Sequence, residues 1–276
     1  MQETGCFSSK GLPYLFLAPQ ILVIFIFFIW PAAQTLFESF IVKNAVPQSH
    51  YLIGLQNYVS LFTNPSYLAS FGMTLFFSFC ITVITLIIGL FLAALVQGVN
   101  RGKTFYSVLL CIPFAVAPPV AGIIMYAVFT SYATPIFSLM SLMILTTSWQ
   151  QVAYNFIFYL IGLHRIPSYL IDSAKLDGAC VYQRLWHITL PLLAPITFFL
   201  FITNVMYDFF NTFGLVQVMT QPASGNPAQL LILKVYQDGF VNGNVPTAAA
   251  QSVILMIVAG ILMALLFRHQ KNKKIF

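Results

Sequence analysis

Asp208 is the one carboxylate set well inside an apolar run of this sequence. An ionised Asp at the centre of a membrane helix costs about 2.5–3.5 kcal/mol on insertion scales, so it faces protein or water rather than lipid. Asn204 and Asn211 each stand three or four residues from both Tyr207 and Asp208, so the four share one side of a helix. A carboxylate among amides and a phenol is chemistry for hydrogen-bonding hydroxyl groups, either of a passing solute or of neighbouring helices. Gln151, Tyr154 and Asn155 form a second stripe of the same kind. Both stripes are expected to line a substrate path, with a purely structural inter-helix network as the alternative.

Other chemistries find little support. The cysteines Cys6, Cys80, Cys111 and Cys180 are dispersed, without metal-ligand spacing, and no disulfide is expected. The four histidines stand at the ends of apolar runs or between them, apart from one another. Gly98 to Thr104 holds three residues between its glycines where a phosphate-binding loop needs four, and no strand precedes it. The chain is therefore expected to be non-catalytic, to bind no metal or cofactor, and to draw its energy from another subunit. Six scattered acids argue against a membrane-embedded protease or transferase. A secondary transporter is the alternative of another class, with Asp208 as its slender support.

The elements that position these residues follow from composition. Hydrophobic residues make up 59% of the 276 and charged residues 7%, against about 25% charged in soluble domains. The mean hydropathy is +0.89. This predicts an all-α polytopic membrane protein, with residues 1–276 as one transmembrane domain. Runs long enough to cross a hydrocarbon layer, about 20 residues each, are placed at 13–40, 68–97, 104–130, 136–163, 189–219 and 247–267. The first is too long for a cleaved signal peptide. Pro118, Pro119 and Gly122 predict a kink in the third run.

With the N-terminus inside, the inner segments hold Lys10, Arg101, Lys103, Arg165, Lys175, Arg184, Arg268, Lys271, Lys273 and Lys274. The outer segments hold Lys43 and Lys234. That asymmetry predicts six spans with both termini in the cytoplasm. Cations at span ends suit membrane lipid rather than nucleic acid. Leu230 to Phe240 is expected to form a short outer amphipathic helix.

Between the fourth and fifth runs lies a polar inner segment, 165–191. Ser168 after Pro167 is expected to cap a short helix, and Gly178 to end it in a left-handed turn. A second short helix, carrying Val181, Leu185 and Trp186, is expected to follow the break at Asp177-Gly178. The whole reads as two amphipathic helices lying across a membrane face.

Within it, Asp172-Ser173-Ala174, then Asp177-Gly178-Ala179, then Leu190-Pro191 resemble the EAA loop of binding-protein-dependent ABC importer permeases. Asp172 stands where that motif has Glu, and Ser173 where it has Ala. Runs such as Ile112-Pro113-Phe114-Ala115-Val116-Ala117-Pro118 and Ser148-Trp149-Gln150-Gln151-Val152-Ala153-Tyr154 extend the resemblance over most of the chain. Within the class they are similar to the A-type permeases of sn-glycerol-3-phosphate importers. About five residues, Ser131 to Pro135, separate the third and fourth runs, fewer than in related permeases.

The resemblance implies a type I importer permease (MetI-like) fold in a bacterial inner membrane. It implies a second permease, two ATP-binding subunits that use ATP and Mg, and an extracytoplasmic substrate-binding protein. Asp172, Ser173, Ala174, Asp177, Gly178, Ala179 and Pro191 are the ATPase-coupling residues that it implies. It points to glycerol 3-phosphate or a glycerophosphodiester as substrate, with a neutral sugar or polyol as the alternative.

Overall fold

The computed structural model describes residues 12–43, 50–99, 101–131, 139–220 and 229–272. Helices α1 (Leu12–Ile24) and α2 (Trp30–Glu38) run on through a π turn at Phe25–Ile29. A hairpin of β1 (Ile41–Lys43) and β2 (His50–Leu52) and the short α3 (Gln56–Thr63) follow. Next come α4 (Pro65–Gly98), α5 (Lys103–Ala115), α6 (Pro118–Ser131) and α7 (Leu139–His164). Then α8 (Ser168–Leu176), α9 (Val181–Arg184), a π turn at Leu185–Thr189 and α10 (Leu190–Phe210). The chain ends with α11 (Phe213–Thr220), α12 (Leu231–Tyr236), a π turn at Gln237–Val241 and α13 (Val245–Asn272).

By contacts the chain divides into two compact units, residues 1–64 with 235–256, and residues 65–234 with 257–276. In the first unit, β1 and β2 pair antiparallel with Val42 opposite Tyr51. Asn57 Nδ2 donates to the carbonyls of Ser39 (2.8 Å) and Ile41 (3.0 Å), so the chain leaving α2 is pinned to α3. The segment after α12 is tied down as well, since Gln251 Nε2 donates to Asp238 Oδ2 (2.7 Å).

Among the described residues, four helical stretches are long and apolar enough to cross a membrane: Phe16–Glu38, Pro65–Gly98, Val181–Phe210 and Val245–His269. Lys103–Ala115 and Pro118–Phe129 qualify together but meet at 90°. The third run is therefore not a kinked rod but two helices. Val116 is extended (ψ 127°) at the break, and neither Pro118 nor Pro119 offers an N–H with which to continue the helix of α5. The fifth run also differs from expectation. It begins at Val181 rather than 189 and stops at Phe210, with Asn211 and Thr212 separating it from α11.

Two of the three π turns, those at Phe25–Ile29 and Leu185–Thr189, precede a proline. Pro31 and Pro191 have no N–H, and their rings crowd the carbonyl four residues back. In each case the turn just before widens: Trp30 N–H reaches Phe25 O, and Leu190 N–H reaches Leu185 O. The helix thereby passes a proline without ending.

The fourth run is α7, 26 residues long but too polar to count with the others. Its polar side chains are buried in the second unit, against α4, α5 and α10. Glycines set the closest approaches. A Cβ on Gly89 of α4 would lie 2.8 Å from Asn155 Cβ and 3.2 Å from the Phe156 nitrogen of α7. A Cβ on Gly214 of α11 would lie 2.8 Å from Pro119 Cγ of α6. Small residues at such crossings let helices meet backbone to backbone where no water drives them together. One apolar cluster joins Phe77 and Ile81 of α4 to Leu142, Met143, Leu215 and Met219. Another joins Ala93 and Val96 to Phe156, Tyr159, Leu163, Leu193 and Leu200.

Gly89→Ala is expected to destabilise the second unit by about 1–3 kcal/mol through overpacking. Thermal unfolding of the full chain in detergent measures this, with Gly72→Ala, where a Cβ meets nothing within 4 Å, as the silent control.

Candidate functional site

Between the two apolar clusters, α4, α7 and α10 face one another through polar side chains. Gln151 Nε2 donates to Asp208 Oδ1 (2.6 Å), and Ser78 Oγ donates to Asp208 Oδ2 (3.1 Å). One turn along, Asn155 and Asn204 exchange hydrogen bonds: Asn155 Nδ2 to Asn204 Oδ1 (3.2 Å) and Asn204 Nδ2 to Asn155 Oδ1 (3.0 Å). Asn204 Nδ2 also reaches Thr85 Oγ1 (3.3 Å), and Asn155 Nδ2 reaches Gln151 O (3.0 Å). Gln151, Asn155, Asn204 and Asp208 are all at most 4% exposed.

Four of the seven expected path residues thus meet in one hydrogen-bonded network. The remaining three lie elsewhere. Tyr154 is half-buried, its hydroxyl bonded to Thr203 and its ring against Phe158 (centroids 4.8 Å). Tyr207 is half-buried, and Asn211 is exposed at the end of α10. The ring of Phe198 on α10 lies 4.2 Å from that of His269 near the basic end of α13, and Asp208 follows it about 15 Å further along the helix.

Sequence reasoning missed the α4 side of this network. Ser70, Thr74, Ser78, Thr82 and Thr85 recur at steps of three and four along an otherwise apolar helix, and all are buried. That period was the available signal. It also missed Gln150, whose Nε2 donates to Val116 O (2.7 Å) and so satisfies a carbonyl freed by the break between α5 and α6.

The second group of expected residues surrounds the turn after α8. Gly178 adopts φ +78°, the left-handed conformation that glycine takes without steric cost. Ala179 N–H bonds Ala174 O (2.9 Å), and Gly178 N–H bonds Lys175 O (3.1 Å). This is a Schellman ending, as Gly178 predicted. Ser168 differs from expectation: it is the first helical residue, and Pro167 before it has no side chain with which to cap. Asp172 Oδ1 accepts from Lys175 Nζ (2.8 Å) with both side chains exposed, a contact worth about 0.2–1 kcal/mol. Ser173 Oγ bonds Tyr169 O (2.8 Å).

The second helix also differs. It is no separate interfacial piece, since Val181–Phe210 forms one helical stretch of 30 residues with Pro191 inside it. Gln183 Oε1 accepts Cys180 N–H (2.9 Å) and closes its N-terminus. Inside the bend lies a depression of about 430 Å³ lined by Asp177, Gly178, Gln183, Arg184 and His187 among others. Around it Tyr169, Leu176, Val181, Tyr182 and Trp186 are exposed, Leu176 at 90%.

A family profile described as binding-protein-dependent transport system inner membrane component matches residues 86–275. The sn-glycerol-3-phosphate transport system permease protein UgpA of Agrobacterium fabrum (strain C58 / ATCC 33970) is 40% identical over 288 residues, covering 98% of each chain. The protein of the same name from Escherichia coli O157:H7 is 38% identical, over 97% of this chain and 96% of its own. Among solved structures, a bacterial ABC transporter involved in the import of the acidic polysaccharide alginate matches with TM-score 0.77 and 18% identity, covering 95% of each chain. The methionine ABC transporter MetNI in an inward-facing conformation matches with TM-score 0.58 and 17% identity, over 74% of this chain and 94% of its own.

Gln150→Leu is expected to cost about 1–3 kcal/mol, because it leaves the Val116 carbonyl buried and unpaired. A melting temperature lower by several degrees in detergent-solubilised protein is the expected result.

Proposed function

Because the chain belongs to the family of binding-protein-dependent transport system inner membrane components, we propose that it is the permease subunit through which sn-glycerol 3-phosphate or a glycerophosphodiester enters the cell, driven by a separate ATPase. The family match and the full-length resemblance to sn-glycerol-3-phosphate permeases support the substrate. The chain crosses the inner membrane six times, α7 included, with both termini in the cytoplasm. The grouping of Arg101, Lys103, Arg165, Lys175, Arg184 and Arg268 on the segments assigned to the inner side supports this orientation.

The observation that carries the mechanism is the glycine bend leading straight into the 30-residue helix that holds Asp208. An apolar patch of Tyr169, Leu176, Val181, Tyr182 and Trp186 on an otherwise polar loop is the surface on which the ATPase seats. Asp172, Ser173, Ala174, Asp177, Gly178, Ala179 and Pro191 shape that surface and its junction with the long helix. ATP and Mg are used on the ATPase, two copies of which serve this chain and a second, similar permease. The external binding protein delivers the substrate.

Movement of the loop tilts the long helix. As α10 parts from α4 and α7, Gln151, Asn155, Asn204 and Asp208 exchange one another for substrate hydroxyls, while Tyr154, Tyr207 and Asn211 flank the opening. A neutral polyol or sugar is the second reading. It is favoured by Asp208 among amides and by the described Lys and Arg side chains, which all lie at helix ends or in loops. On the first reading the phosphate meets helix N-termini, the second permease or the binding protein.

Gly178→Glu tests the coupling role. No atom lies within 4 Å of a Cβ at this position, so the cost within the chain is backbone strain of about 1–2 kcal/mol. The variant is expected to insert normally and to lose ATPase association in co-purification. Normal assembly with normal ATP hydrolysis removes the coupling role. Calorimetry of the cognate binding protein with glycerol 3-phosphate, a glycerophosphodiester and a neutral sugar decides between the two substrate readings.

A further inference from the structure

Serines and threonines buried in these helices mostly return their hydroxyl to the carbonyl one turn back. Ser70, Thr74, Thr85 and Thr146 do so at 2.7–3.1 Å. Thr82, Thr147 and Ser148 do not. Their hydroxyls are buried without a partner, and so is Gln151 Oε1. The four residues are 1–4% exposed.

Helical register brings them to one place. Ser78, which bonds Asp208, and Thr85, which bonds Asn204, bracket Thr82 on the same face of α4. Thr147 and Ser148 stand one turn from Gln151 on the face of α7 that bonds Asp208. On the outer side, Leu231 N–H is fixed to Thr74 Oγ1 (2.8 Å) and closes that end. Buried hydroxyls and an amide oxygen left unsatisfied beside a carboxylate are an arrangement that needs a ligand.

We propose that this interface between α4, α7 and α10 is a hydration site, holding ordered water against Thr82, Thr147, Ser148, Gln151 and Asp208. The donor and acceptor balance selects the ligand. The three hydroxyls have protons to give, and Gln151 Oε1 has lone pairs to fill. A metal cation serves only the oxygen lone pairs and strands the hydroxyl protons. An anion serves only the protons and leaves the Gln151 Oε1 lone pairs unfilled. Water does both, and a buried water makes two to four such bonds. The site does not depend on which solute the protein carries. Its consequence is mechanical: water can follow the Asp208 carboxylate when α10 shifts, so the network loses fewer bonds at once.

X-ray hydroxyl-radical footprinting of the complete transporter in lipid nanodiscs, in ¹⁸O-labelled water, tests this directly. Radicals formed at bound water oxidise the side chains next to it. Label is expected at Met143 and Phe77, one turn from Thr147 and adjacent to Ser78, above the level at the equally buried Phe156 and Tyr159. Equal label at all four overturns the proposal. Thr82→Val and Thr147→Val supply a second readout. Removing a hydrated hydroxyl is expected to lower the melting temperature by about 2–4 °C, whereas a rise marks a dry, unpaired hydroxyl and overturns the site. Stabilisation by sodium over choline assigns a cation instead and overturns it equally.

Discussion

Lipid tails offer a polar group no hydrogen-bond partner, so a buried donor or acceptor has to be satisfied inside the protein, by another of its groups or by water held there. That constraint organises the second unit. α7 is too polar to meet lipid on its own account. It is helical and buried because α4 and α10 offer Ser78, Thr85, Asn204 and Asp208 to Gln151 and Asn155. Apolar packing at Phe77 and Ile81 and at Phe156 and Leu200 flanks the polar layer. The layer then sets the register of three helices, because a shift by one residue would strand several side chains at once.

The same constraint explains how the chain tolerates its prolines. A missing N–H is absorbed by a widened turn before Pro31 and Pro191, and the helix continues. Before Pro118 and Pro119, two consecutive donors are lost and the helix breaks by 90°. The carbonyl exposed there is recovered by Gln150 from α7. One proline is a local matter, whereas two in succession need a side chain from another helix. Gly122 and Gly214 then let α6 lie close to α11, since a Cβ at either would press on its neighbour.

At the loop the relation between order and function is different. The turn at Gly178 is held by two backbone hydrogen bonds and a positive φ, with the Lys175–Asp172 pair before it and the Gln183–Cys180 contact after it. Its apolar side chains are left outward. A stiff turn continuous with a long helix can pass on displacement, which a flexible linker cannot do. The polar layer that α10 shares with α4 and α7 is the region that such a displacement would reach.

Composition alone decided that the protein is helical and membrane-spanning, because no soluble surface accommodates 59% hydrophobic residues. The glycine turn was also legible, since it is a local event written in local residues. What the chain could not show in one dimension was pairing. Asp208 and Gln151 were recognisable as polar residues that must avoid lipid, but a helix face does not say which helix it meets. The partner Ser78 stands 130 residues from Asp208. The 90° break and the union of the loop helix with the fifth span were likewise decided by packing. Local propensity allows a proline to kink, widen or end a helix, and only the neighbours that satisfy the freed backbone groups select among these.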